Sequence, residues 1–160
     1  MVGASIPDTC GSTELVHATC LVVDGAGVLL VGPSGAGKSD LALRLLHAQI
    51  RVDGRVVETA LVADDQVLVA AHAGRLIARP PLQLAGLMEV RGIGILPVSY
   101  RPEVQLTLVI KLVRPGHVER FPEPAPGYPI LGLTLPCATL SPFETSAPLK
   151  VALLVRRQET

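Results

Sequence analysis

A glycine-rich segment between two apolar runs contains the residue types that bind phosphate. Residues 32–40 read GPSGAGKSD and follow the apolar residues 28–31. The spacing matches G-x-x-x-x-G-K-[ST], in which backbone N–H groups converge on phosphate oxygens, the lysine reaches the β/γ-phosphates and the hydroxyl binds Mg²⁺. The alternative is an ordinary glycine-rich turn before a serine that starts a helix. The motif predicts a nucleotide site made of Gly32, Pro33, Ser34, Gly35, Ala36, Gly37, Lys38 and Ser39.

Two adjacent acids follow the next apolar run. Residues 61–65 read LVADD, which is similar to the strand ending in acid that lies beside the metal in proteins with such loops. Because neighbouring side chains of a strand point to opposite sides, at most one of the two carboxylates faces a bound nucleotide. Asp64 or Asp65 could hold the metal or accept a proton from an attacking hydroxyl. The alternative is a solvated acidic turn at the end of a strand.

A carboxylate and a guanidinium stand within a third apolar stretch. Residues 87–95 read LMEVRGIGI, and unpaired charges would be expensive to bury there. Glu89 facing a cation and Arg91 bridging to acids or phosphate would solve that problem, whereas a surface pair at the end of a helix is the alternative. Single histidines are usually ordinary residues, but His17 opens the strand pair that leads into the phosphate loop.

The pattern predicts one long helix and many short strands. Residues 18–23 and 28–31 are typical of a β-hairpin, and apolar residues at helical spacing predict a helix to about Gln49. A parallel sheet would need a crossover helix after nearly every strand. We therefore expect an α/β fold, a single phosphate-loop domain with a mixed, partly antiparallel sheet. Further strands are predicted at residues 55–57, 60–63, 66–71, 75–78, 104–113, 131–135 and 151–155.

Composition excludes several classes of protein. Over 160 residues the formal net charge is zero, so there is no basic field for nucleic acid or an anionic membrane. No apolar run approaches a membrane span, and the N-terminus lacks the pattern of a signal peptide. Three widely spaced cysteines give neither a metal pattern nor a disulfide framework. These features predict a cytoplasmic protein.

A proline-rich segment, residues 115–129, contains Arg120. Its prolines and its lack of periodicity predict a loop that orders over bound substrate. Arg120 is then either a mobile arginine that binds phosphate or an ordinary solvated charge.

Taken together, the motifs resemble those of a known family. His17, the phosphate loop, LVADD and the sequence EVRGIGI at residues 89–95 are similar to the catalytic domain of bacterial HPr kinase/phosphorylase, over about residues 17–155. The resemblance implies a phosphate-loop fold like that of phosphoenolpyruvate carboxykinase. The kinase-like domain is expected at 16–156, with a tail at 157–160. Residues 1–15, rich in Gly, Ser, Thr and Pro, predict a flexible N-terminus.

The resemblance also implies an activity. ATP and Mg²⁺ would serve to phosphorylate a serine of HPr, the phosphocarrier of the sugar phosphotransferase system, with reversal by inorganic phosphate. Asp65 matches the family's proton acceptor, Lys38 stabilises phosphoryl charge, and Ser39 and Glu89 hold Mg²⁺. His17 and Arg120 match an active-site histidine and arginine. Small-molecule kinases and nucleotide-sensing modules are the alternatives.

The chain departs from the family's long members in three places. Their separate N-terminal domain has no counterpart in these 160 residues, so we expect by resemblance the short proteobacterial type. Residues 51–59 form an extra segment in which a small hairpin is expected. Residues 146–150 read SAPLK where long members have an Arg-Pro-Gly-Arg-Asn segment linked to dephosphorylation, so kinase activity is expected more firmly than phosphorylase activity. The family's hexameric assembly is expected by resemblance alone.

Overall fold

The structure, a computed structural model, describes residues 11–160. Of the flexible N-terminus predicted at 1–15, residues 1–10 lie outside the described part. The last residues of that segment were predicted wrongly, because the first strand begins at Thr13. It is held there by pairing with a later strand, in which Thr13 stands opposite Ala70. Local sequence does not report such a distant partner.

Fourteen strands and two α-helices occur within residues 11–160. Numbered in chain order, the strands are β1 (Thr13–His17), β2 (Thr19–Val23), β3 (Ala26–Val31), β4 (Arg51–Val52), β5 (Arg55–Val56), β6 (Thr59–Ala63), β7 (Gln66–His72), β8 (Arg75–Arg79), β9 (Leu87–Val90), β10 (Gly94–Pro97), β11 (Val104–Leu112), β12 (Tyr128–Ile130), β13 (Leu133–Leu135) and β14 (Cys137–Leu140). The helices are α1 (Lys38–His47) and α2 (Ala147–Gln158).

Eight of these strands form one sheet. Its order is β1-β7-β8-β11-β3-β2-β6, and β14 pairs with β11 off this path. Strands β3 and β14 run parallel to β11, whereas the other neighbours are antiparallel. The predicted α/β fold with a mixed, partly antiparallel sheet is confirmed.

The strand that leads into the phosphate loop is buried on both faces. Val28 and Leu30 of β3 belong to one apolar cluster, which also contains the buried faces of α1 and α2. Leu29 and Val31 belong to a second cluster on the opposite face. A strand covered on both sides reads as a continuous apolar run, which explains the pattern at residues 28–31.

The second helix corrects a prediction. Residues 151–155 were predicted as a strand, and α1 as the one convincing long helix, but the segment lies within α2. Pro148 stands in the first turn, where its missing N–H costs nothing, and Val151, Ala152 and Val155 bury one face at helical spacing. The β-branched residues suggested a strand, and packing against α1 and β4 overrides that preference. No helix among the described residues is long and apolar enough to cross a membrane.

Two smaller predictions have different outcomes. The extra segment at 51–59 does form a hairpin, since β4 pairs with β5 around Asp53 and Gly54. The predicted strand at 131–135 is wrong in its first half. Leu131 and Gly132 have positive φ and form the turn between β12 and β13.

Candidate active site

The phosphate loop connects β3 to α1 in a conformation that requires glycine. Gly37 has φ +95°, and a Cβ placed there would lie 2.9 Å from Pro142 Cγ and 3.0 Å from Phe143 Cζ. A larger residue would both strain the backbone and displace these neighbours. Glycine at position 37 is therefore required both by the backbone of the loop and by the close approach of the segment after β14.

Lys38 is buried at the start of α1. Its Nζ donates hydrogen bonds to the carbonyl oxygens of Gly32 at 2.7 Å and Pro33 at 3.1 Å. Burial lowers the pKa of Lys38 from its ordinary value, while the carboxylates of Asp65 and Asp64 oppose that shift. The ammonium is thus held across the loop, with two acids nearby.

Asp64 is the inward-facing member of the acid pair. It is 6% exposed, and its Oδ1 accepts hydrogen bonds from Ser39 Oγ at 2.8 Å and Thr19 Oγ1 at 3.0 Å. Its Oδ2 accepts one from the backbone N–H of Glu89 at 3.3 Å. One carboxylate therefore connects α1, β2 and β9 at the phosphate loop.

Asp65 is the exposed member of the acid pair. Its side chain is 57% exposed, and Oδ1 lies 3.3 Å from His17 Nδ1. Sheet register causes this meeting, because His17 at the end of β1 pairs with Gln66 at the start of β7. Asp65 has φ +67° and lies with Asp64 in the turn between β6 and β7, so the alternation expected of an extended segment does not apply to this pair.

These residues surround one cavity of about 470 Å³. Of the predicted site residues, the cavity wall contains His17, Ser34, Gly35, Gly37, Lys38, Ser39, Asp65 and Glu89, and it also contains Arg91. Gly32 and Pro33 are not part of the cavity wall, but their carbonyl oxygens accept the hydrogen bonds of Lys38. A second cavity, of about 380 Å³, lies near the other end of α1 beside His47 and Tyr100 and contains none of the predicted residues.

Arg120 does not line the active-site cavity in this conformation. Its guanidinium lies over the ring of Phe121, 5.5 Å from the ring centre, within the largely exposed segment 115–129. Its assignment to the active site stays a prediction.

The side-chain oxygen atoms at the loop are suitable ligands for a magnesium ion. Ser39 and Asp64 are in hydrogen-bond contact, and Glu89 lines the same cavity. Within residues 11–160 no group of three His, Cys, Asp or Glu side chains could hold a metal by itself. Mg²⁺ commonly takes one or two protein carboxylates, substrate phosphate oxygens and water, so a sparse oxygen set of this kind is suitable.

Sequence reasoning missed two contributors. Thr19 is fully buried and binds Asp64, and nothing in the pattern of β2 distinguishes it from its apolar neighbours. Phe143 lines the cavity although it is more than 100 residues from the loop in the chain. Only the pairing of β14 with β11 brings it there.

Comparison with known proteins identifies the family of this chain. The family model described as "HPr Serine kinase C-terminal domain" matches residues 8–147. The HPr kinase/phosphorylase of Burkholderia cenocepacia is 35% identical over 150 residues, covering 88% of this chain and 43% of that protein. The HPr kinase/phosphorylase of Bordetella avium is 39% identical over 117 residues, covering 68% of this chain and 35% of that protein.

A solved structure gives the same answer for the fold. The HPr(Ser) kinase/phosphatase of Coxiella burnetii superposes with a TM-score of 0.74 at 29% identity, covering 91% of this chain and 96% of that one. The chain spans less than half the length of the curated relatives just described. The resemblance inferred from the phosphate loop, the acid pair and residues 89–95 is confirmed: the chain belongs to the HPr serine kinase C-terminal domain family.

Proposed function

We propose that this protein is an ATP-dependent protein-serine kinase that phosphorylates HPr or an HPr-like phosphocarrier of the phosphotransferase system, in the cytoplasm. One observation carries the proposal: Lys38 of the phosphate loop and the exposed carboxylate of Asp65 line the same cavity. The names of the matched relatives, HPr kinase/phosphorylase, support the substrate. Assembly into a hexamer belongs to the proposal on the family resemblance alone.

Phosphoryl transfer needs positioning and charge neutralisation more than covalent chemistry. Lys38 would stabilise the charge of the transferred group, since its ammonium is already held at the loop by two carbonyls. Ser39 and Glu89 would hold Mg²⁺, and the bound ion would neutralise phosphate oxygens. Asp64, through its bond to Ser39, would orient that ligand.

Asp65 is the proposed proton acceptor for the substrate serine. A general base must reach the hydroxyl directly, and more than half of this side chain is open to a partner protein. His17 contacts Asp65 at 3.3 Å and would fix the direction of its carboxylate. Asp64 is unsuited to the role, because both its oxygens already accept hydrogen bonds inside the protein.

The test is transfer of label from [γ-³²P]ATP, with Mg²⁺, to the HPr-like protein of the same organism. We expect label on one serine of the partner and none when that serine is replaced by alanine. Adding inorganic phosphate to the labelled product then measures the reverse reaction. Label released as free phosphate or carried by a small molecule would instead indicate a phosphatase or small-molecule kinase. ATP binding without any product would indicate a nucleotide-sensing module.

The proposed role of Arg120 requires movement of segment 115–129, because this residue lies outside the cavity wall. We expect amide hydrogen exchange there to be fast in the free protein and to slow by about tenfold or more with nucleotide and HPr together. The matched reference is the hairpin of β4 and β5, whose exchange should not change. Slow exchange in the free protein, unaffected by ligands, would contradict the lid.

A further inference from the structure

Phe143 presents an uncovered aromatic ring to the phosphate-loop cavity. Its side chain is 63% exposed, and its Cζ lies 3.0 Å from the point where a Cβ of residue 37 would stand. Among the described residues it is the one aromatic side chain in the wall of this cavity. Phe143 has no role in the proposed phosphoryl transfer.

The backbone on both sides of this ring is held by α1. Arg44 donates hydrogen bonds to the carbonyl oxygens of Pro142 and Glu144, the latter at 3.4 Å. Arg44 is itself oriented by an ion pair with Asp40, at 2.9 Å. Glu144 also pairs with Lys150 of α2. The exposed ring is therefore anchored to the helix that follows the phosphate loop, so little ordering is needed for a ligand to meet it.

We propose that Phe143 stacks against the base of the nucleoside triphosphate bound at the phosphate loop. The inference rests on the proposed use of a nucleotide, and it adds the residue that receives the base. An exposed phenyl ring beside a phosphate site suits a flat aromatic ligand, and every nucleobase offers such a face. Phe143 thus distinguishes nucleotides from inorganic polyphosphates while tolerating different bases.

Dissociation constants for Phe143→Leu and the unaltered protein test this. We expect the variant to bind ATP and GTP about tenfold more weakly in the presence of Mg²⁺. Its affinity for inorganic tripolyphosphate should be unchanged, because the loop itself is intact. Tyr100→Leu is the matched control, since it removes an exposed aromatic ring at the other cavity and should alter none of the three constants.

A second variant tests the same contact by fluorescence, so that the result does not depend on a loss of binding that misfolding could also cause. The chain has no tryptophan, so Phe143→Trp introduces a single fluorophore at the proposed contact. Its emission should be quenched by ATP and unaffected by tripolyphosphate, with ATP affinity at least equal to that of the unaltered protein.

Two results would overturn the inference: unchanged ATP affinity in Phe143→Leu, or an equal loss of ATP and tripolyphosphate binding, which would make the ring a support for the loop alone. These outcomes are separate from the kinase proposal. Label transfer to the partner together with normal ATP binding by Phe143→Leu removes only the stacking role. Base-dependent binding through Phe143 without transfer to any partner removes only the kinase.

Discussion

Replacing Asp65 by asparagine is expected to lower the rate of phosphoryl transfer to the partner serine by at least about a hundredfold while ATP binds normally. The amide cannot accept the proton of the hydroxyl. Asparagine is preferred to alanine here because Asp65 has φ +67°, a conformation that asparagine tolerates well. Single-turnover label transfer and calorimetric titration with ATP measure the two quantities.

The neighbouring acid provides the matched control. Asp64→Asn replaces an acceptor of three hydrogen bonds and leaves a donor facing the N–H of Glu89 or the hydroxyls of Ser39 and Thr19. We expect the free energy of unfolding to fall by about 1–3 kcal/mol in this variant, and by no more than about 0.5 kcal/mol in Asp65→Asn. Normal turnover in Asp65→Asn, or the reverse order of stabilities, would show that the roles of the two acids are wrongly assigned.

Replacing Lys38 by methionine is expected to weaken ATP binding by at least about tenfold, since a charge-assisted contact to phosphate is lost. Transfer should fall further, by about a hundredfold or more, because that charge is needed most in the transition state. The stability of the unliganded protein should change little near pH 7, because removal of a buried charge offsets the loss of the hydrogen bonds to Gly32 and Pro33. Burial lowers the pKa of Lys38, so folding holds an ammonium where its charged form is disfavoured.

The lowered pKa of Lys38 makes the free energy of unfolding depend on pH. A lysine whose pKa is lower in the folded than in the unfolded chain costs stability below the folded pKa, and the cost disappears as pH rises to the unfolded value, about 10.4. The stability of Lys38→Met relative to the unaltered protein should therefore fall as pH rises through that window. Thermal unfolding with and without MgATP measures it, with the exposed Lys111→Met as control. An ATP-dependent rise in Tm as large in Lys38→Met as in the unaltered protein, at the same ATP concentration, would rule out the proposed contact.

The phosphate loop could be found from sequence because its chemistry is contiguous. Glycines, lysine and serine stand at fixed spacing between a strand and a helix, and each depends on its immediate neighbours in the chain. The hairpin at residues 51–59 is local in the same sense, since an Asp-Gly turn joins its two short strands. Family resemblance selected among the alternatives that the residues left open for Asp65, Glu89 and Arg120, and it gave His17 a place in the active site.

The second helix was misjudged for the opposite reason. Taken alone, the β-branched residues within 151–155 favour a strand. The segment is helical because a helix buries its apolar face against α1 and β4. Likewise, nothing near residue 143 indicates a phosphate site. The ring reaches the loop through the parallel pairing of β14 with β11.

The sequence by itself determined that this chain has a phosphate loop, a mixed sheet and a pair of adjacent acids at the end of a strand, because motif spacing and apolar patterning are properties of neighbouring residues. Only the tertiary structure decided which of the two acids is buried and which one lines the cavity. Asp64 turns inward to bind Ser39 and Thr19, while Asp65 meets His17 at the cavity. That choice depends on the registers of β1 with β7 and of β2 with β6, which join residues more than 35 positions apart in the chain.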